Sequence, residues 1–197
     1  MTGNGSAKEY KRGQILAEAA VVFAARSYPA ATTKEVAERL GLSQPTIYHY
    51  VGSKMTLLQE IAREVDTRSW DVLNAARATS DEPTEQLRAL MHLSLEYSLR
   101  NRDAYAVYWE GQRFLDEAEA AELTKSRARY IHTVDKIVAG CQKQGSLPAQ
   151  HPSRVLTEGI LGMLHAAYRW YRPGGRSAPA DIARAFCDLI GLPRAAD

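Results

Sequence analysis

Two helix-start signals separated by a helix-stop signal constrain the fold of this chain more than any other sequence feature. Thr32 is a favoured N-cap residue, and Glu35 lies where the second member of a capping box is found. Gly41 is a favoured residue just beyond a helix C-terminus, and Ser43 can cap the helix that follows. Residues 32–50 are therefore predicted to form two short helices joined by a tight turn.

Apolar residues at helical spacing predict helices along most of the remaining chain. In the first of these, residues 8–26, one helix face carries apolar residues at i, i+4, i+7 and i+8: Ile15, Ala19, Val22 and Phe23. The same reasoning predicts helices over residues 54–79, 84–100, 103–114, 117–144, 152–171 and 180–191. No segment alternates apolar and polar residues between hairpin turns, so strands are not expected.

These segments predict an all-α fold with two parts. Residues 8–53 would form a three-helix head that contains a helix-turn-helix, and residues 54–193 would form a body of roughly six helices. In the head, Val36, Ala37, Leu40 and Ile47 would face inward and hold the two short helices together. The second of those helices would then be offered to the major groove of DNA.

Composition and charge narrow the class of protein. With 45% hydrophobic and 24% charged residues, the chain resembles a soluble globular protein. No apolar run approaches the ~20 residues that span a bilayer, and the N-terminus lacks an apolar signal-peptide core, so we expect a cytoplasmic protein without membrane contact. Residues 1–55 carry seven Lys or Arg and four Glu, a basic excess that suits nucleic-acid contact. Cys141 and Cys187 are isolated and are expected to be core thiols.

The helix predicted after Gly41 carries side chains suited to DNA. Its polar groups can bond base edges or phosphates, and the Thr46 methyl and the Pro45 ring could contact a thymine methyl. Lys54, at the start of the next helix, would bring a positive charge to the DNA backbone. The predicted DNA-contacting residues are Thr33, Ser43, Gln44, Pro45, Thr46, Tyr48, His49, Tyr50 and Lys54. An ordinary three-helix packing unit with a solvated polar face would show a similar pattern.

The head resembles the TetR family of DNA-binding regulators. The motifs that carry the resemblance are Phe23-Ala24-x-Arg26, Ala31-Thr32-Thr33, Val36-Ala37, Gly41-Leu42-Ser43, Thr46-Ile47-Tyr48 and Ser53-Lys54-x-x-Leu57-Leu58. The resemblance implies a homodimer, a small-molecule pocket in the body, and release of operator DNA when the small molecule binds. The chain departs from the family at Tyr50 and Val51, where His and Phe are usual, so Tyr50 replaces a phosphate-binding His only if its hydroxyl reaches the DNA.

The body offers candidates for the small-molecule site. The segment 169–175, Arg-Trp-Tyr-Arg-Pro-Gly-Gly, resembles one in the KstR and FadR groups of lipid-catabolism regulators, several of which respond to acyl-CoA thioesters. A helix end with an aromatic anchor also explains this segment. Aromatic and polar residues on the helix faces give the predicted ligand contacts Tyr105, Tyr108, Trp109, Arg113, Tyr130, His165 and Arg169. An aromatic stripe at helical spacing is nevertheless more commonly core than pocket.

The last two predicted helices offer a dimer surface. Small residues would let another helix approach closely on the first, and apolar residues share a face of the second. The predicted interface residues are Gly159, Gly162, Ala166, Ile182, Phe186 and Leu189. Specific DNA binding also requires a homodimer, since one short recognition helix buries too little surface to recognise an operator.

Two other classes of protein have to be weighed. An all-α enzyme would need a catalytic constellation, and the sequence has no nucleophile elbow, phosphate loop or metal-ligand motif, so no catalytic site, metal or cofactor is expected. An architectural or protein-interaction helical module without a specific operator would share the fold, and the departures at Tyr50 and Val51 leave it open. The favoured prediction is a ligand-responsive DNA-binding regulator that represses transcription.

Overall fold

The computed structural model describes residues 3–193, with side chains from Lys8 onward, and the regular structure in that range is entirely helical. Within it the α-helices are α1 Gly3–Arg26, α2 Thr33–Arg39, α3 Gln44–Val51, α4 Lys54–Arg77, α5 Pro83–Arg100, α6 Arg102–Gly111, α7 Glu117–Lys143, α8 Ser153–Trp170 and α9 Pro179–Leu189. A 3-10 turn, Gln112–Phe114, follows α6 where the α-helix was predicted to continue. The predicted all-α fold is confirmed, and α1 starts at Gly3, earlier than expected.

Backbone contacts divide the chain into two compact units. Unit 1 comprises the residues up to Val65 together with Asp103–Leu123. Unit 2 comprises Asp66–Arg102 and the residues from Thr124 onward. The predicted division of function between residues 8–53 and the rest of the chain stays a prediction.

The core of unit 1 is built from the inward faces of α1 to α4, with a contribution from α6. α1 packs on α2 and α3, and α2 packs on α3. The larger buried residues are Ile15, Val22, Phe23, Val36, Ile47, Val51, Leu57, Leu58, Ile61 and Val107. Burying one such side chain contributes about 1.5–3 kcal/mol. Of the predicted inward positions, Val36, Ala37 and Ile47 are buried, and Leu40 is partly buried and packs against the same core. The predicted packing of the two short helices is therefore confirmed.

Side-chain caps start the two short helices at the predicted residues. Thr32 Oγ1 accepts a hydrogen bond from the Glu35 N–H at 3.1 Å, and the Thr32 N–H donates to the Glu35 carboxylate at 3.1 Å. Ser43 Oγ accepts from the Thr46 N–H at 3.3 Å. Helices as short as α2 and α3 are marginal by themselves in water, so these caps and the packing beneath them act together.

α5 is the central helix of unit 2 and packs against both α8 and α9. Gly140 of α7 allows close contact with α5, because a Cβ there would lie 2.7 Å from Cγ of Pro83. Cys141 and Cys187 are buried and not in a disulfide, as predicted. Burial raises the pKa of both thiols, that of Cys141 to about 11, so both are protonated at neutral pH.

Candidate DNA-binding surface

The turn between α2 and α3 is closed by backbone hydrogen bonds around Gly41. This residue has a φ of +62°, a left-handed conformation that glycine adopts without strain. The Leu42 N–H donates to the Ala37 carbonyl at 2.9 Å, and the Gly41 N–H donates to the Glu38 carbonyl at 3.2 Å. These bonds end α2 and redirect the chain so that Ser43 can start α3.

α3 buries one face and leaves the other open to solvent. Its buried face carries Ile47 and Val51, which are 0% and 3% exposed. The open face carries the predicted DNA-contacting residues Ser43, Gln44, Pro45, Thr46, Tyr48 and His49, which are exposed or partly exposed. A helix that presents such side chains from a packed support fits the DNA major groove, which is about 12 Å wide.

Thr33 lies beneath this open face rather than on it. It is the first residue of α2 and is only 4% exposed. Its Oγ1 accepts a hydrogen bond from Gln44 Nε2 at 3.0 Å and donates to the Tyr48 hydroxyl at 3.2 Å. Thr33 therefore connects the first helix of the motif to two residues of the second.

Arg12 of α1 fixes the C-terminal end of α3. Its guanidinium donates to the Tyr50 carbonyl at 3.4 Å and forms an ion pair with Glu60. Tyr50 is partly buried, packs against the core of unit 1, and meets the His49 ring edge-on at 5.5 Å between centroids. Sequence reasoning missed Arg12 because its partners lie far along the chain. The predicted phosphate contact of Tyr50 stays a prediction.

Lys54 is held by the loop that follows α1. Its Nζ donates to the Pro29 carbonyl at 3.2 Å and lies 4.5 Å from the centroid of the Tyr28 ring. Burial lowers the pKa of Lys54, and the Glu35 carboxylate opposes that shift. The ammonium thus has a carbonyl and an aromatic face as partners, and a phosphate would be a further one.

Lys34 is a cation at the start of α2 that sequence reasoning did not single out. Its side chain is 72% exposed and lies 3.6 Å from the Glu38 carboxylate. An exposed ion pair of this kind contributes about 0.3–0.5 kcal/mol, which is too little to hold Lys34 away from a phosphate. The signal that could have found it is its position directly after Thr33.

Two family models match most of this chain. The model for bacterial regulatory proteins of the tetR family matches residues 15–61, and the model for the tetracyclin repressor-like C-terminal domain matches residues 80–191. The chain belongs to the TetR family. The first match covers α2, α3 and the turn between them, and the second covers α5 to α9. The predicted family is confirmed, and the chain is a DNA-binding transcriptional regulator rather than an enzyme.

Three relatives illustrate the similarity. The transcriptional activator FasR of Mycolicibacterium smegmatis is 27% identical over 92% of this chain and 81% of that protein. The structure of the ketosteroid transcriptional regulator KstR2 of Mycobacterium tuberculosis has a TM-score of 0.86 at 20% identity, covering 94% of this chain and 96% of that one. The structure of AibR in complex with isovaleryl coenzyme A and operator DNA has a TM-score of 0.80 at 22% identity, covering 92% and 98%. The two structures show the shared fold. The predicted likeness to the KstR group is borne out by the sequence of the repressor KstR2 of Rhodococcus jostii, which is 24% identical over 94% of this chain and 91% of that protein.

Four predicted ligand contacts of this TetR-family chain lie on α6 and the turn that follows it, in unit 1. Tyr105, Tyr108 and Trp109 pack against one another with ring centroids 5.2 to 6.4 Å apart. Tyr105 and Tyr108 are 5% and 7% exposed. Arg113 is exposed and lies over the Phe114 ring at 4.7 Å. The aromatic stripe is part of a packed interior, and its contact with a ligand stays a prediction.

The other three predicted ligand contacts lie in unit 2. Tyr130 is 9% exposed. Burial lowers the pKa of His165 to about 3, with a further contribution from the positive charge of Arg127, so His165 is neutral at pH 7. Arg169 is exposed and donates to the Tyr168 hydroxyl at 3.3 Å. A neutral imidazole can both donate and accept a hydrogen bond, which suits an uncharged polar group of a ligand.

A polar network between α4 and α7 in unit 2 was also missed by sequence reasoning. Trp70 Nε1 donates to Ser126 Oγ at 2.9 Å, and Ser126 Oγ donates to the Asp66 carboxylate at 2.7 Å. Burial raises the pKa of Asp66, against the opposing effects of the Ser126 hydrogen bond and of Arg129. The network joins residues far apart in sequence, so no local pattern could have revealed it.

The predicted dimer residues differ in how much surface they offer. A Cβ placed on Gly159 or Gly162 would meet nothing within 4 Å, so both glycines face open space. Leu189 is 71% exposed, whereas Ile182 is 5% exposed and lies inside unit 2. The partly buried predicted residues are Ala166 and Phe186. A groove of about 450 Å³ runs beside Gly159, lined by Leu147, Val155, Leu156, Ile160, Met163 and Ile190.

Over residues 3–193, His, Cys, Asp and Glu form no group of three or more that could hold a metal ion. None of the helices in the same range combines the length and apolarity needed to cross a bilayer.

Proposed function

We propose that this chain binds a near-palindromic operator as a homodimer through α3, represses transcription there, and leaves the operator when its body takes up a small molecule. The observation that carries the proposal is the open face of α3, which exposes hydrogen-bonding side chains. Ile47 packs this helix into the core, and Thr33 holds Tyr48 by a hydrogen bond. The match to the tetR-family model over residues 15–61 supports it. The protein would act in the cytoplasm, where bacterial operator DNA is found.

The DNA contacts can be tested with a duplex that the wild-type protein selects from a random pool. Gln44→Ala should lower affinity about 10-fold and relax the preference at one position of each half-site, because it removes a base-reading group. Lys54→Ala should weaken binding to all sequences and reduce the salt slope by about 1. Gln150→Ala, at an exposed site in unit 2, is the matched control and should bind as the wild type does. A wild-type protein that selects no sequence would overturn the proposal.

Exposed apolar surface on α8 and α9 supports a second copy of the chain as partner. Val155 and Leu189 are 61% and 71% exposed, and Gly159 and Gly162 leave room for another helix. A two-fold dimer brings the same face of each subunit together, so a single apolar face is sufficient to form it. An operator of two half-sites also needs two recognition helices, which one chain does not supply.

The dimer surface can be tested by placing a charge on it. Leu189→Glu should convert the dimer to a monomer in sedimentation equilibrium, because a buried unpaired carboxylate is strongly unfavourable. Operator affinity should fall at least about tenfold with it. Tyr10→Glu is the control, since Tyr10 is 70% exposed but lies on α1. A Leu189→Glu protein that still sediments as a dimer would place the interface elsewhere.

An acyl-CoA thioester is the effector class that we propose. The resemblance at residues 169–175 supports it, as do a ketosteroid regulator and an isovaleryl-CoA complex among the similar structures. Exposed Arg169 could meet a phosphate of the CoA group. Isovaleryl-CoA, a long-chain acyl-CoA and a steroid acyl-CoA should be added to the operator complex, with free CoA as control. One thioester should lower operator affinity about 5- to 150-fold; if none does, the effector is of another class and operator binding is unaffected.

The sign of regulation needs its own test, because FasR is an activator and KstR2 of Rhodococcus jostii is a repressor. We assign repression, since a dimer bound over a promoter excludes RNA polymerase. A reporter gene placed behind the selected operator should be expressed more strongly when the regulator is deleted. Weaker expression on deletion would reverse the sign and leave the DNA contacts as proposed.

A further inference from the structure

The hydroxyl of Thr33 is almost fully buried, yet both of its partners reach the open face of α3. Thr33 is 4% exposed, whereas Tyr48 is 45% exposed and Gln44 is partly exposed. The Thr33 hydroxyl can donate one hydrogen bond, and it accepts one from Gln44 Nε2 at 3.0 Å. Its own proton is directed to the Tyr48 hydroxyl oxygen at 3.2 Å.

The direction of this hydrogen-bond chain determines what Tyr48 can offer. Because the Tyr48 oxygen accepts from Thr33, its own proton has to be directed to another acceptor. DNA phosphate oxygens are acceptors only, and hydrogen bonds to charged acceptors are about twice as strong as neutral ones. The chain from Gln44 through Thr33 therefore prepares Tyr48 to donate to a phosphate.

We propose that Thr33 is a positioning residue for operator binding, which fixes the Tyr48 hydroxyl as a phosphate donor and restrains Gln44 without touching DNA itself. The inference rests on the proposed operator binding by α3. It replaces the sequence-based prediction that Thr33 contacts a phosphate directly. Its physical basis is preorganisation, because a side chain held in its bound orientation loses less conformational freedom when DNA arrives.

A double-mutant cycle separates positioning from direct contact. Affinity for the selected duplex is measured for the wild type, Thr33→Val, Tyr48→Phe and the double variant. Thr33→Val is nearly isosteric and removes only the hydroxyl, and Tyr48→Phe removes only the proposed phosphate donor. Ethylation of individual phosphates, followed by selection of bound DNA, shows which phosphate each protein needs.

Each single variant should lose about 10-fold in affinity, and the double variant about 10- to 30-fold rather than 100-fold, since both act through one contact. Thr33→Val and Tyr48→Phe should lose dependence on the same phosphate. Thr33→Ser keeps the hydroxyl and should bind within about twofold of the wild type. Additive losses, dependence on different phosphates, or full affinity of Thr33→Val would overturn the inference.

A matched control addresses stability. Thr157 is fully buried in unit 2 and donates a hydrogen bond to Asp135 at 3.2 Å. Thr157→Val should lower the melting temperature about as much as Thr33→Val does, but it should leave operator affinity unchanged. If Thr33→Val fails to fold by circular dichroism, Thr33→Ala takes its place in the cycle. A wild-type protein that selects no operator would contradict the proposed function, whereas a selective wild type with an additive cycle would contradict only the role of Thr33.

Discussion

The helices that carry the DNA-binding surface and those of unit 2 begin in different ways. α2 and α3 span seven and eight residues and are capped by Thr32 and Ser43. α5 and α8 span 18 residues each, and their N-cap residues, Glu82 and Pro152, make no side-chain cap hydrogen bond. A short helix has few internal hydrogen bonds and depends on its ends, whereas a long amphipathic helix is held by its buried face. The short helices of the DNA-binding part therefore need capping hydrogen bonds in addition to burial, whereas α5 and α8 begin without a side-chain cap and rely on burial.

The largest expected effect comes from truncating core side chains, which both regions bury. Ile47 in α3 and Leu95 in α5 are both fully buried, so replacing either with Ala should lower the free energy of unfolding by about 2–5 kcal/mol. Operator affinity, measured where both variants are folded, should fall only for Ile47→Ala because it supports the open face. Urea unfolding and DNA titration provide the measurements. Equal loss of affinity in both variants would show that the regions are not separate in function.

A smaller effect tests the turn between α2 and α3 with a pair of glycines. A Cβ placed on either Gly41 or Gly13 would meet nothing within 4 Å, so only the backbone conformation distinguishes them. Gly41→Ala should destabilise the protein by about 1–2 kcal/mol, since φ is +62° there. Gly13→Ala, inside α1, should stabilise it by about 0.5–1 kcal/mol. Effects of the same sign in thermal unfolding would contradict the left-handed turn.

The contrast in capping makes a third prediction. Ser43→Ala should lower the free energy of unfolding by about 1 kcal/mol because the Thr46 N–H loses the Ser43 hydroxyl as an acceptor and keeps only the Ser43 carbonyl. Glu82→Ala, at the corresponding position of α5, loses only an exposed hydrogen bond to Gln144 and should change stability by less than about 0.5 kcal/mol. Urea unfolding of the two variants compares them directly. Equal losses would remove the distinction between capped and packed helices.

The smallest effect concerns the partly buried carboxylate of Asp66 in unit 2. Because burial raises the pKa of Asp66, its charged form opposes folding at neutral pH. Asp66→Asn keeps an acceptor for Ser126 and should raise the melting temperature at neutral pH. The difference should shrink as the pH falls and the wild-type carboxyl becomes protonated. Thermal unfolding across this pH range checks the sign, and a variant that melts below the wild type at pH 7 would contradict it.

Much of the DNA-binding part could be predicted because its signals are local. The Thr32 and Ser43 caps and the Gly41 turn each involve residues within one or two turns of helix, and all were found where expected. The core positions followed from helical periodicity for the same reason. The body was predicted less fully: its helices were found, but the network of Asp66 and Ser126 joins α4 to α7 and leaves no trace in a short window.

The sequence by itself determined the all-α fold, the two capped helices and the membership of the TetR family. Only the tertiary structure decided that Thr33 lies beneath the proposed DNA surface, that Lys54 rests against Tyr28, and that Arg12 holds the end of α3. The reason is physical. A cap or a helical face depends on neighbours a few residues away, whereas the burial of a side chain and the partner of a charge depend on which other helix packs against it.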